Sequence, residues 1–237
     1  MAMPETGKRL TAELLGAFVL VLFGSFAIFA ANFGNVSAEG IPMPQGTPVL
    51  IIAFGFGLGL LVALYAFGEV SGGHFNPAVS LAMWVDGRLD ARFFLLYVIA
   101  QIAGAVLASL VTMAAFSKEF VASTATVPNL ALGVSDADAF LLEALFTAVF
   151  IAVILKVTKS NAFAGTVFIA IAFTLLIIHI VLVPLTGTSV NPARTLGPAI
   201  VGDNYTSIWV YMIAPMVGSI IGWGAYKLVA SDDTATG

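Results

Sequence analysis

The sequence predicts an all-α membrane protein of six transmembrane helices plus two re-entrant half-helices, and three observations carry that prediction. The 237 residues are 60% hydrophobic and only 9% charged, with a mean hydropathy of +1.05. Soluble domains carry about 25% charged residues, so this surface is not mostly wet. Six apolar stretches are long enough to cross a bilayer, while two others are too short to cross and share an Asn-Pro start. A net charge of −4 excludes a basic nucleic-acid footprint. The absence of cysteine removes disulfides, thiolate metal sites and cysteine nucleophiles. Two histidines, His74 and His179, are too few for a histidine metal cage, and no cofactor is expected.

The six stretches run Leu10–Phe33, Val49–Phe67, Ala91–Phe116, Ala139–Val157, Phe163–Leu185 and Ile208–Val229. At 1.5 Å rise per residue each reaches roughly 30 Å, the thickness of a hydrocarbon core. Asp90 is placed to cap the third, and Ser135, Asp136 or Asp138 the fourth. Continuous apolarity without period-2 alternation argues against a β-barrel. No small-residue cleavage site follows Lys8 and Arg9 at signal-peptide distance, so the first stretch is read as an uncleaved span. Lys8, Arg9, Arg88, Arg92, Lys156, Lys159 and Lys227 fall on one side of this topology. Lys118 falls on the other, and Arg194 stands apart. The positive-inside rule then puts both termini in the cytoplasm of a multi-pass cell-membrane protein.

The short apolar segments are Glu69–Val85, after the second span, and Gly187–Val201, after the fifth. In each an Asn precedes a Pro, a favoured N-cap followed by a favoured first helical residue. About ten helical residues follow, roughly 15 Å or half a bilayer core. Such re-entrant segments are tolerated only where protein buries them or water lines them.

The chain also repeats itself. Asn76-Pro77-Ala78 recurs as Asn191-Pro192-Ala193, the Tyr97–Gly104 stretch as Tyr211–Gly218, and Glu13 near the start of span one as Glu143 near the start of span four. The chain is therefore read as one transmembrane domain, 1–237, with repeats at about 9–116 and 136–230. Three spans per repeat is an odd number, so the second copy enters upside down. Inverted repeats with one broken segment each place a site near the midplane. The two half-helix N-termini face each other there, each with about half a positive elementary charge and an Asn donor. That suits a small neutral hydrogen-bonding solute and repels cations.

Individual residues allow two readings each. Arg194 sits in the first turn of the second half-helix, against the dipole and within the membrane; Val79 is its counterpart in the first repeat. It is either one half of a filter or an interfacial arginine snorkelling to water. His179, in an apolar helix, is either packed against a neighbour or functional. Glu13 and Glu143 are either interfacial carboxylates near helix starts or acceptors for loop N–H groups. His74 either lines a vestibule or braces its loop. The run Gly55-x-Gly57-x-Gly59 and the pair Gly104 and Gly218 permit close helix approach.

Ser71-Gly-Gly-His-Phe-Asn-Pro-Ala-Val79 and Thr188-Ser-Val-Asn-Pro-Ala-Arg194 resemble the two signature loops of the aquaporin (major intrinsic protein) family, and the likeness extends over essentially the whole chain. The resemblance implies a homotetramer with one pore per subunit, in a lipid bilayer and without nucleic-acid partners. It implies glutamates that hold the loops, and a constriction formed by Phe56, His179, Thr188 and Arg194. Phe, His, Thr and Arg are similar to the filter of water-selective members, with Phe and His narrowing the opening and Arg and His offering donors. Glycerol channels of the family carry a small residue at the His position and an Asp after the Arg, where this chain has Thr195. Water is the expected permeant, with protons and ions excluded by the Asn donors, the dipoles and Arg194, as in aquaporin-type pores generally.

A glycerol or small-polyol facilitator is the nearest alternative. A secondary transporter is another, since broken inverted repeats also build those, but no coupling-ion carboxylate is evident beyond Glu13 and Glu143. Short connections leave little surface for an adhesion role. No nucleophile–base pair or phosphate loop supports an enzyme. The connections Gly34–Thr47 and Ser117–Ser135 are read as partial covers of the outer mouth, and the tail from Ser231 as a short polar end.

Overall fold

The structure, a computed structural model, describes residues 5–33 and 46–230. The first of the two connections expected over the outer mouth, Gly34–Thr47, lies mostly outside the described residues, as does the tail 231–237. Nine α-helices are present among the described residues: α1 (Glu5–Phe33), α2 (Thr47–Ser71), α3 (Pro77–Val85), α4 (Ala91–Ala115), α5 (Lys118–Ser123), α6 (Asp136–Val157), α7 (Val167–Thr186), α8 (Pro192–Gly202) and α9 (Ile208–Val229). Single 3₁₀ turns occur at Leu130–Leu132 and Asn161–Phe163. Six of the helices are long and apolar enough to span a membrane, and α3 and α8 are the half-helices.

Local chemistry explains most boundaries. The Asp90 carboxylate accepts from the Phe93 N–H at 2.8 Å and starts α4. Ser135 and Asp138 form a reciprocal capping box at the start of α6, which begins three residues before the expected span start at Ala139. The second span runs to Ser71, so Glu69, Val70 and Ser71 form its last turn and not the start of the re-entrant segment. It ends because Gly72 and Gly73 both take positive φ, 96° and 66°, which glycine adopts without steric cost. The fifth span begins at Val167. Residues 161–163 form a separate 3₁₀ turn, divided from it by Gly165 at φ 86°. Helix α5 was not expected; Ser117, whose hydroxyl accepts from the Phe120 N–H at 3.1 Å, is its N-cap.

The packing is that of two interlocked inverted repeats. Helix α1 packs on α2 and α4, and α6 on α7 and α9; α2 on α7 joins the halves. Each half-helix then crosses over, α8 against α4 and α3 against α9. The close crossings fall on paired glycines. A Cβ on Gly104 would stand 2.1 Å from the Leu14 carbonyl oxygen, and one on Gly218 2.3 Å from that of Ala144. In the Gly55–Gly59 run, Gly55 and Gly59 face α1 at Ala27 and Phe23, whereas Gly57 faces α7 at Leu176. Large apolar side chains such as Leu95, Ile99, Leu141 and Ile177 are exposed on the outside, as a lipid-facing surface requires.

Candidate functional site

The two broken segments meet at the centre and tie each other down. Asn76 Oδ1 accepts from the Ala78 N–H at 2.8 Å, and Asn191 Oδ1 from Ala193 at 3.0 Å and Arg194 at 3.3 Å. These are N-caps of α3 and α8. Each Asn also donates across the pseudo-symmetry: Asn76 Nδ2 to the Val190 carbonyl at 2.8 Å, and Asn191 Nδ2 to that of Phe75 at 3.0 Å. A side-chain amide has two N–H donors, so each Asn retains one beyond its cross-tie. Both asparagines line a narrow internal passage. Pro77, Ala78, Pro192 and Ala193 are buried and are not among its lining residues. Ala78 lends its carbonyl to Ser219 Oγ at 2.6 Å, and Ala193 packs with Val21, Ala105 and Ala108.

The loops before the asparagines are strained, and the buried glutamates hold them. Phe75 has φ 51° and Val190 φ 45°; a left-handed β-branched residue is a true outlier. Glu13 accepts from Ser71 Oγ (2.6 Å), His74 N–H (2.9 Å), Phe75 N–H (2.7 Å) and Gln101 Nε2 (2.7 Å). Glu143 accepts from Thr186 Oγ1 (2.7 Å), Ser189 N–H (2.8 Å) and Val190 N–H (2.7 Å). Both carboxylates are fully buried, so they are not interfacial. Charge-assisted bonds of this kind are about twice as strong as neutral ones and offset the strain, on the order of 1–3 kcal/mol per residue. Two tyrosines complete the pattern: Tyr97 donates to the Ser71 carbonyl at 2.7 Å and Tyr211 to that of Thr186 at 2.9 Å.

One end of the passage carries the aromatic and cationic residues. His179 stacks on Phe56 with centroids 4.5 Å apart and planes 22° from parallel. The Arg194 guanidinium lies 4.7 Å from the Phe56 ring centre. Arg194 Nη1 donates to the Thr124 carbonyl at 3.1 Å, and Nη2 more weakly to that of Gly187 at 3.5 Å. With 3% of its surface exposed, Arg194 is not a snorkelling residue. His179 Nδ1 pairs with the Leu175 carbonyl at 2.9 Å. A carbonyl only accepts, so Nδ1 carries a proton and Nε2 of the neutral ring is an acceptor. The expectation of a His179 donor is therefore corrected for the neutral ring: its free nitrogen offers a lone pair.

Thr188 has φ 52° and is fully buried. Buried side-chain polar atoms without a protein partner, among the described residues, are His179 Nε2, Arg194 Nε, Thr188 Oγ1, Gln101 Oε1 and Thr147 Oγ1. Three of the five belong to residues expected at the constriction. Since buried polar groups are otherwise paired, this is where a hydrogen-bonding solute would be accommodated.

The rest of the wall divides by chemistry. Leu20, Leu60, Val79, Phe150, Ile154, Ile171 and Leu175 form an apolar part, while Gly72, Gly73, His74 and Ser189 bring the loop segments to the passage. At the far end the passage opens into a vestibule lined by Glu5, Arg9, Arg88, His74 and Thr158 among others. His74 both lines and braces: it borders both spaces, and its Nδ1 is 3.0 Å from Ser80 Oγ. At the vestibule rim, Asp86 accepts from Arg88 Nε (2.6 Å), Lys227 Nζ (3.0 Å) and Trp223 Nε1 (3.1 Å). Burial pushes the Asp86 carboxyl up, but these donors and the Arg88 charge outweigh it and hold it below its ordinary value.

Sequence reasoning did not single out Thr124, Gln101, Ser80 or the two tyrosine hydroxyls. Gln101 carried a signal, as a polar amide inside an apolar span, and the tyrosines as a matched pair in the repeat. Thr124 carried none, because it acts through its backbone. The 117–135 connection reaches Arg194 through the Thr124 carbonyl, and Asn129 fixes it to α7 by bonds to the carbonyls of Leu185 (2.9 Å) and Pro184 (2.8 Å).

A model of the major intrinsic protein family matches residues 1–226. A glycerol uptake facilitator protein-like 6 of Lactiplantibacillus plantarum is 41% identical over 95% of this chain and 100% of its own length. Proteins named Aquaporin Z from Brucella melitensis and Photorhabdus laumondii are 40% and 35% identical, over 91% and 95% of this chain and 94% and 98% of theirs. Among solved structures, the aquaglyceroporin of Plasmodium falciparum superposes with a TM-score of 0.81 over 94% of this chain and 96% of that one, at 24% identity, a likeness of fold.

Proposed function

The chain belongs to the major intrinsic protein family of membrane channels, and from that premise we propose that it passes water down osmotic gradients while excluding protons and ions. The observation that carries this reading is the constriction itself. Phe56 and His179 stack as one aromatic wall, Arg194 packs on the same ring, and His179 Nε2 and Arg194 Nε are left without protein partners. A water molecule passing there can donate to His179 and accept from Arg194. Thr195, where a glycerol channel has Asp, has its hydroxyl committed to Ser189 at 2.7 Å and offers no carboxylate. Farther in, the paired helix N-termini and the free N–H of each Asn turn a water's oxygen toward them, which interrupts a continuous proton wire.

The chain is read as a single channel domain of two repeats, about 9–116 and 136–230, that assembles as a homotetramer in the cell membrane with both termini cytoplasmic. In that orientation the Arg9 and Arg88 vestibule is the inner mouth and Arg194 lies at the outer constriction.

A glycerol or small neutral solute facilitator is the second reading, favoured by the name of the 41% identical relative. Stopped-flow light scattering on proteoliposomes separates the two. An impermeant osmolyte should give fast shrinkage with a low activation energy, and glycerol no rapid re-swelling. Rapid re-swelling in glycerol would replace the water-selective reading with the facilitator.

A further inference from the structure

We propose that a hydrogen-bond chain from Glu13 through Gln101 and Ser80 fixes His74 as its Nε2–H tautomer, so that the inner mouth presents an N–H donor where His179 presents a lone pair at the outer constriction. Each step follows from donor bookkeeping. Glu13 Oε2 is a carboxylate oxygen, so the nearer end of Gln101 at 2.7 Å is the amide nitrogen; this leaves Gln101 Oε1 without a protein partner, but the opposite orientation would set two oxygens against each other at that distance. Gln101 Nε2 uses its second hydrogen on Ser80 Oγ at 2.9 Å. Ser80 is fully buried, and its hydroxyl hydrogen must then find an acceptor. The partner in reach is His74 Nδ1 at 3.0 Å. If Nδ1 instead carried the proton, Ser80 Oγ would receive two donors and its own hydrogen would be buried unpaired. His74 Nδ1 is therefore the acceptor, and the ring's proton sits on Nε2.

That nitrogen is on the passage side. A Cβ on Gly72 would stand 3.4 Å from His74 Nε2, and Gly72 and His74 both border the passage and the vestibule. The ring is held edge-on to Tyr97, 5.2 Å between centroids at 74°. Repeat two has no such device: Ser189, Thr195 and Pro215 stand at the positions of His74, Ser80 and Gln101. Gln101 and Ser80 are thus positioning residues acting through His74. The consequence for permeation, that a water at the inner mouth accepts from His74, rests on the channel reading; the tautomer does not.

Magic-angle-spinning NMR of tag-free, ¹⁵N-histidine-labelled protein in lipid bilayers reads the tautomers directly, because the chain has two histidines and a His74→Asn variant assigns them. His74 is expected with bare Nδ1 and protonated Nε2, and His179 with the reverse. Ser80→Ala should shift His74 toward a mixture or the other tautomer without moving the His179 signals, and Ser80→Thr should restore it. Gln101→Leu should act in the same direction. A protonated Nδ1 on His74 in the unaltered protein overturns the proposal. So does a His74 signal that neither Ser80→Ala nor Gln101→Leu changes. If the tautomers are as stated but the protein passes no water, the channel reading fails and the hydrogen-bond chain stands.

Discussion

The two repeats use one frame for opposite mouths. In repeat one, Glu13 holds the loop over Ser71, His74 and Phe75; in repeat two, Glu143 holds Thr186, Ser189 and Val190 through equivalent atoms. Tyr97 and Tyr211, Asn76 and Asn191, and the Gly104 and Gly218 crossings match in the same way. Away from that frame the copies diverge. Repeat one has Val79 where repeat two has Arg194, and the pair His74–Ser80 where repeat two has Ser189–Thr195. The shared atoms hold backbone that would otherwise be strained and unpaired, so they tolerate little change. Of the divergent residues, Val79, Arg194, His74 and Ser189 line the passage and Ser80 and Thr195 lie buried behind them, so the two ends can have different chemistry at small cost to the fold.

The largest effect is expected where the frame is broken. Glu143→Leu leaves the buried N–H groups of Ser189 and Val190 without acceptors, at about 1–3 kcal/mol each, and Glu13→Leu does the same for His74 and Phe75. Both should collapse the monodisperse yield in size-exclusion chromatography. Normal yields would show that the carboxylates are dispensable. Making the repeats alike at the filter comes next. Arg194→Val should preserve water flux but raise proton leak, measured with a pH dye trapped in liposomes, by about a hundredfold if the full intramembrane charge barrier of ~2.5–3.5 kcal/mol is removed. Unchanged leak removes that role from Arg194.

His179→Gly should widen the constriction while leaving both motifs intact. Glycerol re-swelling should rise about tenfold, in line with the ~1–3 kcal/mol of steric discrimination a pocket provides, with water flux little changed. An equally slow glycerol response would mean that the Phe56–His179 stack does not set the size limit. The smallest effect concerns the half-helix ends. Helix α3 ends in the Asp86 cluster, whereas α8 ends at Asp203 in a left-handed conformation at φ 58°. Asp86→Asn should cost about 1 kcal/mol or less, given its partly exposed partners. Because the folded-state value of Asp86 is lowered, its contribution is complete above the unfolded value of about 3.9 and is lost as pH falls through the folded one. The Tm gap between the two proteins should therefore close below about pH 4, and a pH-independent gap would assign the effect to packing.

The sequence by itself determined the spans, the broken segments and the inverted repeat. Apolar length, Asn-Pro caps and recurring motifs are local or periodic signals that survive without coordinates, and the few boundary errors, as at Ser71 and Val167, lie where a helix continues or starts a turn away from the apolar edge. Tertiary structure alone decided which polar atoms pair. That Arg194 rests on the Thr124 carbonyl and that Val190 is held left-handed by a glutamate 47 residues away both depend on backbone groups and distant elements meeting in space. A residue's letter does not encode its carbonyl's direction. In a membrane interior, where every polar group needs a partner, those directions decide what the passage offers its permeant.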